Sequence, residues 1–256
     1  MRLYQYWDAP HPPPEVAAWI DGFRRDNPTF RHRLYDRAAA SWFIRKHIGE
    51  REQQAFDAIA VPSMESDYFR YCAVWALGGI YMDADFQSLQ PLSGLLAQAP
   101  RSLMLSWGGH IVAALMMCRK RRDPFIRACL DLSTLNIEAR ALTSAYTAAG
   151  PGVINAIRAL IDPDSFDEVA KGYDNFFGRG WGFPELMERA RRTVVVTPEV
   201  AEAFHAMTVI HVKKLNGWIG RAAPAYKETE RHWLHWRGSI YRDGEAVEPA
   251  ATEGPE

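Results

Sequence analysis

Residues 66–85 read SDYFRYCAVWALGGIYMDAD: a short amphipathic helix, a double glycine, a strand, and two aspartates one residue apart. Phe69, Cys72, Ala73, Ala76 and Leu77 fall at i, i+3, i+4, i+7 and i+8, a single apolar stripe at helical period. Ser66 or Asp67 can cap the first turn. At roughly 100° per residue, Asp67, Arg70, Tyr71 and Val74 lie opposite the centre of the stripe. Two opposite charges and a phenol are therefore expected to point away from the core. Gly78 and Gly79 stop the helix, because glycine tolerates the positive φ that closes a last turn, and Ile80-Tyr81-Met82 has the length and β-propensity of a buried strand. Alternate residues of a strand share a side, so Asp83 and Asp85 can converge at its C-terminal end. Two hard oxygen ligands there suit Mg²⁺ or Mn²⁺, with positions left open for diphosphate oxygens. Taken alone, D-x-D also reads as a polar loop, and the flanking residues decide for the metal site.

Upstream, residues 3–7 are a β-prone aromatic run suited to a first strand, ended by Asp8 and the prolines at 10 and 12–14. Residues 15–25 read as a helix stopped by Asn27-Pro28, residues 30–35 as a second strand, and 38–47 and 50–60 as helices. Downstream, residues 102–107 form a strand broken by Gly108-Gly109-His110, and residues 111–117 resume an apolar run. Helices are expected over 125–142 and 153–160, a substrate-facing loop over 173–183, a late strand over 192–197 around Val194-Val195-Val196, and a histidine-containing run at 209–212. Strands alternating with helices predict an α/β fold with a mainly parallel central sheet and helices on both faces; ligands in such folds sit at the C-terminal ends of the strands. The expected organisation is one domain over residues 1–243 and a disordered acidic tail over 244–256, where bulky apolar residues are almost absent.

The 256 residues are 48% apolar and 24% charged, an ordinary globular composition large enough for one α/β core. A formal net charge of −1 argues against general nucleic-acid binding, for which a strongly basic surface supplies most of the affinity. Cys72, Cys118 and Cys129 lack the paired spacing of a zinc site or disulfide framework and read as reduced core residues. No apolar run approaches the roughly twenty residues that span a bilayer, and the N-terminus MRLYQYWDAP has no signal-like apolar segment. A cytoplasmic location is expected. The basic run Arg119-Lys120-Arg121-Arg122 reads either as a solvated turn or as a contact for an anionic lipid surface or acidic acceptor, which would make the protein peripheral at the inner membrane face. His232 and His235 stand at i, i+3, with packing the safer reading than metal binding.

The arrangement Ser66-Asp67-x-x-Arg70-Tyr71 followed by Gly78-Gly79-Ile80-Tyr81-x-Asp83-x-Asp85 resembles the D-x-D-containing sugar-binding region of glycosyltransferases related to the yeast initiating α-1,6-mannosyltransferases. Bacterial capsule and polysaccharide enzymes carry the same region, and the glucosylating domains of large clostridial toxins a more distant version. The resemblance implies a GT-A type fold and a Mn²⁺- or Mg²⁺-dependent, retaining transfer of a sugar from a nucleotide-diphosphate sugar to a saccharide, glycolipid or other hydroxyl acceptor. It implies Asp85 as direct metal ligand, Asp83 on the ion and the ribose, Asp67 on sugar hydroxyls, Arg70 on the sugar or diphosphate, and Tyr71 in the donor site. Tyr6 and Trp7 resemble the aromatic ending of the family's first strand, which lies beside the nucleotide base; packing of a sheet edge is the alternative. His211 is a candidate third metal ligand or phosphate contact, or else a core histidine, and Trp218 is a candidate lid residue, with Gly217 where the family tends to have serine. A non-catalytic binding module and a toxin-like effector that glycosylates a protein are the rival functions.

Overall fold

The computed structural model describes residues 1–177, 182–215, 219–221 and 236–242, and for 172–177 and 219–221 it describes the backbone only. The chain alternates strands and helices as the spacing predicts: β1 (Arg2–Tyr6), α1 (Pro14–Asp26), β2 (Arg31–Tyr35), α2 (Arg37–His47), α3 (Glu50–Asp57), α4 (Pro62–Leu77), β3 (Gly79–Met82) and β4 (Phe86–Ser88). There follow α5 (Ser93–Ala97), β5 (Ser102–Trp107), β6 (His110–Cys118), α6 (Pro124–Ala139), α7 (Ala145–Ala148), α8 (Pro151–Ile161), α9 (Phe166–Phe177), α10 (Phe183–Thr193), α11 (Pro198–His205), β7 (Met207–His211) and β8 (Ile219–Arg221). Several helices open with a side-chain cap, a proline in the first turn, or both. Asp123 accepts from the Phe125 and Ile126 N–H groups ahead of Pro124, and Thr197 accepts from the Val200 N–H ahead of Pro198.

The main sheet has the order β2-β1-β3-β6-β5-β7. β1 pairs in parallel with β2 and β3, β5 pairs in parallel with β7, and β6 is antiparallel to both β3 and β5. β6 is thus the one reversed strand among the six, because a tight turn at Gly108-Gly109 folds it straight back along β5. The mixed, mostly parallel sheet with helices on both faces is the expected GT-A type architecture. A large core of aromatic and aliphatic side chains fills the side of α2, α4, α6 and α8, and a smaller one holds Leu3, Phe23, Ile80, Met82, Leu95 and Leu103 on the other.

Strand parity on β1 and β3 distributes the site. Tyr4, Tyr6 and Tyr81 enter the large core, while Leu3, Ile80 and Met82 enter the small one. Asp83, two residues beyond Tyr81, comes out on the α4 side.

Four expectations need correction. α4 begins at Pro62, so Ser66 and Asp67 lie in its second turn rather than at its cap. Its supposedly outward face is buried: Arg70 is 4% exposed and Tyr71 and Val74 are 0% exposed, because the helix is enclosed by the sheet on one side and the other helices of the large core. The valine run at 194–196 is not a strand; it follows α10, and Val195 is 79% exposed. β-propensity is realised only where a neighbouring strand accepts the ladder, and β7 holds the place beside β5. Finally, Tyr173–Phe177, expected in a loop, closes α9. Residues 178–181, Trp218, His232, His235 and the tail from residue 243 lie outside the described residues.

Candidate functional site

β3 ends at Met82, and Asp83 to Asp85 form the turn into β4. Strand alternation therefore does not aim the two carboxylates; the turn does. The Asp83 N–H donates to the Ala114 carbonyl of β6 at 2.9 Å, and the Asp83 carbonyl accepts from Gln5 Nε2 at 3.3 Å, so the backbone at the motif is held by the strands on both sides. Gln5 is fully buried, and its Oε1 lies 2.7 Å from His32 Nε2. The sequence reading passed over Gln5, although a lone amide in an aromatic strand is a signal that the strand serves a polar partner.

Arg70 is the centre of the site. One of its Nη atoms lies 2.8 Å from Asp67 Oδ1 and 3.0 Å from Asp83 Oδ1, and also donates to Ser66 Oγ at 3.0 Å. The guanidinium stacks 4.7 Å above the Tyr81 ring, whose hydroxyl is 2.6 Å from Ser66 Oγ. The i, i+3 spacing of Asp67 and Arg70 makes their pairing local, while the pair to Asp83 needs the strand. With two carboxylates against it, the guanidinium stays charged despite burial.

Burial pushes the Asp67 carboxyl up to about 7, with Arg70 opposing and Asp83 adding to the rise. Near neutrality it can accept from a hydroxyl as carboxylate or donate to one as acid, and both suit a sugar. Asp67 Oδ2 lies 3.0 Å from where a Cβ on Gly150 would stand, and the Tyr146 carbonyl oxygen 2.9 Å from it. A side chain at residue 150 would close the gap between α4 and the start of α8, where the Gly150 carbonyl accepts from the Tyr71 hydroxyl at 3.2 Å. The folded Asp67 holds a proton that the unfolded chain, with its ordinary value of 3.8, has already released. This group therefore lowers stability progressively as pH rises from about 4 to about 7. Asp67→Asn is expected to flatten that part of the pH–melting profile; an unchanged slope would show that Asp67 titrates normally.

The two aromatics of the first strand part company. Tyr6 is buried, packs against Phe56 and Phe69, and donates its hydroxyl to Glu65 Oε2 at 2.5 Å, so it is a core residue and cannot stack on a base. Trp7, one residue on and of opposite parity, is half-buried against the small cluster of Val16, Ile20 and Ala84, Ala84 being the middle residue of D-x-D. Trp7 is thus placed beside the motif.

His211 ends β7 opposite Ser106 of β5. From β3 that is three inter-strand steps across the sheet, about 14 Å at usual spacing. Its Nδ1 accepts the Lys213 N–H at 3.2 Å. Among the described residues no three His, Cys, Asp or Glu side chains gather closely enough to hold a metal ion, so His211 does not complete a set with Asp83 and Asp85. The segment beyond His211 nonetheless returns to the motif, since β8 pairs antiparallel with β4 and sets Arg221 opposite Phe86, the residue after Asp85.

The two carboxylates fit a hard divalent cation. Asp83 is 27% exposed with one oxygen committed to Arg70, and Asp85 is half-buried in the turn. Asp83 is already partly neutralised by Arg70. Remaining positions would be filled by water and ligand oxygens.

Comparison with known proteins bears on the segment that carries the motif and on the fold. The family model described as "Glycosyltransferase sugar-binding region containing DXD motif" matches residues 1–102. The initiation-specific α-1,6-mannosyltransferase of Schizosaccharomyces pombe is 25% identical over 91 residues, 34% of this chain and 23% of that protein. The solved structure of PaToxG glycosyltransferase superposes with a TM-score of 0.53 over 86% of this chain and 87% of its own, at 12% identity, which is a likeness of fold. No described helix is long and apolar enough to cross a membrane. Residues 1–102, β1 through α5, are therefore similar to the glycosyltransferase sugar-binding region that contains the D-x-D motif.

Proposed function

We propose that this chain is a glycosyltransferase that moves a sugar from a nucleotide-diphosphate sugar to a hydroxyl acceptor of a saccharide or glycoconjugate, with Mn²⁺ or Mg²⁺ at Asp83 and Asp85 and with retention of configuration. The observation that carries the reading is Arg70 pinned between Asp67 and Asp83 at the C-terminal edge of the sheet, with Trp7 packed on the small cluster that includes Ala84.

The site divides the donor by chemistry. Trp7 offers a face for the base, Asp67 a carboxyl for sugar hydroxyls, and Arg70 a positive charge for the sugar or diphosphate oxygens. Arg70 is already oriented by Ser66, Tyr81 and two carboxylates, so little conformational entropy remains to be lost when it meets an anion. A bound divalent ion would act as a Lewis acid, countering the charge that builds on the departing nucleoside diphosphate. Arg70 supplies fixed positive charge to the same end from a desolvated position. Asp67 and Tyr71, held against Gly150, keep the sugar side of the site narrow.

The test is thermal stability against UDP, GDP, CMP and TDP sugars with and without Mn²⁺. A donor raises the melting temperature by mass action without knowledge of the acceptor. One nucleotide class should stabilise the protein in a metal-dependent way, and Trp7→Ala should weaken that binding by about 1–3 kcal/mol, the value of one base–aromatic stack. Silence across the whole panel would remove the transferase reading and favour a binding module. Retention is checked on the product: a donor and product of opposite anomeric configuration would overturn it.

A further inference from the structure

At the opposite end of β1 and β2 from the D-x-D turn lies a second concavity, a cavity of about 260 Å³. Its floor is the first half of the two strands on the α2 and α4 side, where Arg2 pairs with Arg31 and Tyr4 with Arg33 across the ladder. Tyr35 and Trp42 complete the aromatic wall. α2, through Trp42, Phe43 and His47, and Leu77 at the end of α4 bound the cavity on the helix side, while Arg31 and Arg33 stay exposed.

The charge there is uncompensated. No carboxylate lines the cavity, and among the described residues none lies in ion-pair range of Arg2, Arg31 or Arg33. Arg33 is stacked 4.5 Å over the Tyr35 ring and also hydrogen-bonds the Tyr35 side chain, which together fix the plane of its guanidinium. Lys46 is stacked 4.5 Å over Trp42, which is 55% exposed at the rim. Arg121, from the basic run, acts electrostatically on Tyr4 and so adds its charge to the same corner. The rest of that run is used elsewhere: Arg119 donates to the Leu96 and Ala99 carbonyls and Arg122 stacks on Trp75. Cations from three separate parts of the sequence thus converge on one aromatic-walled cavity.

We propose that this cavity is a second ligand site, distinct from the D-x-D site, which takes a phosphoryl group carried either by a free small molecule or by a phospholipid headgroup. A forked donor set with positive charge and no competing acid matches phosphoryl oxygens. The volume admits a headgroup rather than a whole nucleotide sugar. The site cannot be an acceptor subsite, because Arg2 and Arg31 stand at the start of strands whose far ends reach the D-x-D turn, five residues and about 15 Å away.

The probes are inorganic phosphate, followed by calorimetry, and sedimenting vesicles of phosphatidylglycerol with phosphatidylcholine against phosphatidylcholine alone. The variant is Arg31→Gln/Arg33→Gln; both side chains are exposed, so the fold should survive, and a melting temperature equal to that of the parent checks this. Binding of phosphate that weakens at least about tenfold in the variant assigns a free phosphorylated ligand. Binding to the anionic vesicles alone, lost in the variant, assigns a lipid headgroup. Failure of both probes to bind, or equal binding by parent and variant, overturns the site. Arg31→Gln alone, which touches no described partner, serves if the double variant melts early.

Discussion

Asp85→Asn is expected to lower kcat/KM for sugar transfer on the order of 10²–10³-fold, the scale seen when one preorganised group facing developing charge is removed. The substitution keeps the shape of the side chain and deletes its charge, so the turn between β3 and β4 should persist and the loss should fall on the metal. Mn²⁺ titration in the presence of nucleoside diphosphate should show the affinity loss directly. Asp83→Asn provides the contrast. Asp83 is paired with Arg70 at 3.0 Å, so losing its charge also weakens the hold on the guanidinium, leaving Asp67 as its one charged partner among the described residues, beside the Ser66 bond and the Tyr81 stack. Its effect should appear in donor binding without metal as well as with it. If Asp85→Asn kept activity within tenfold of the parent at all Mn²⁺ concentrations, the assignment of Asp85 as direct ligand would fail.

The second large effect is on stability. Glu65, 1% exposed in the first turn of α4, accepts from Tyr6 at 2.5 Å and Arg37 at 2.6 Å, with Arg242 3.3 Å away. Glu65→Ala is expected to cost about 3 kcal/mol, the low end for breaking a buried ion pair. The low end applies because Arg37 and Arg242 are 26% and 51% exposed and can turn to water, whereas the buried Tyr6 hydroxyl cannot. Against a total stability of roughly 5–15 kcal/mol that is a large fraction. Tyr6→Phe removes one hydrogen bond and should cost about 1 kcal/mol. Urea denaturation of the two variants decides: equal midpoints would mean that the charge on Glu65 contributes nothing beyond the Tyr6 bond. Glu65 also anchors the segment 236–242, whose Arg242 donates to the Ile59 carbonyl and whose Tyr241 pairs with Ile59. Limited proteolysis of Glu65→Ala should therefore cut near that segment first.

Neither Glu65 nor Gln5 was visible as a key residue in the sequence, and the reason is common to both. Each is a polar residue whose partners are distant in the chain: Glu65 meets Arg37 and Tyr6 across 28 and 59 residues, and Gln5 meets Asp83 across 78. Helical spacing, by contrast, brought Asp67 and Arg70 together on paper, because three residues are one turn. It went wrong on which way that pair faces. An apolar stripe implies an outward opposite side only when one side of the helix is covered, and α4 is covered all round. The pair that was expected at the surface is instead the buried hinge of the site.

Tyr6 and Trp7 illustrate the same division. Period two states that they point to opposite sides of β1, but both sides of that strand are buried, so parity alone leaves open which of them enters the large core. The reversal of β6, the distance of His211 from the motif, and the unpaired valine run at 194–196 were likewise matters of strand neighbours rather than of local propensity.

What the sequence determined by itself was the order of elements from β1 to β3, the double glycine that ends α4, and a D-x-D turn at the end of a strand, since each rests on contacts within a few residues. Gly79, at φ +108° with its absent Cβ 2.7 Å from the Arg2 carbonyl oxygen, is the point where the two levels meet: the sequence required a glycine to leave the helix, and the packing of β3 against β1 forbids any other residue. Only the tertiary structure decided which carboxylates share Arg70, which aromatic faces the motif, and where a second set of arginines converges, because those depend on pairings between segments that are distant in the chain.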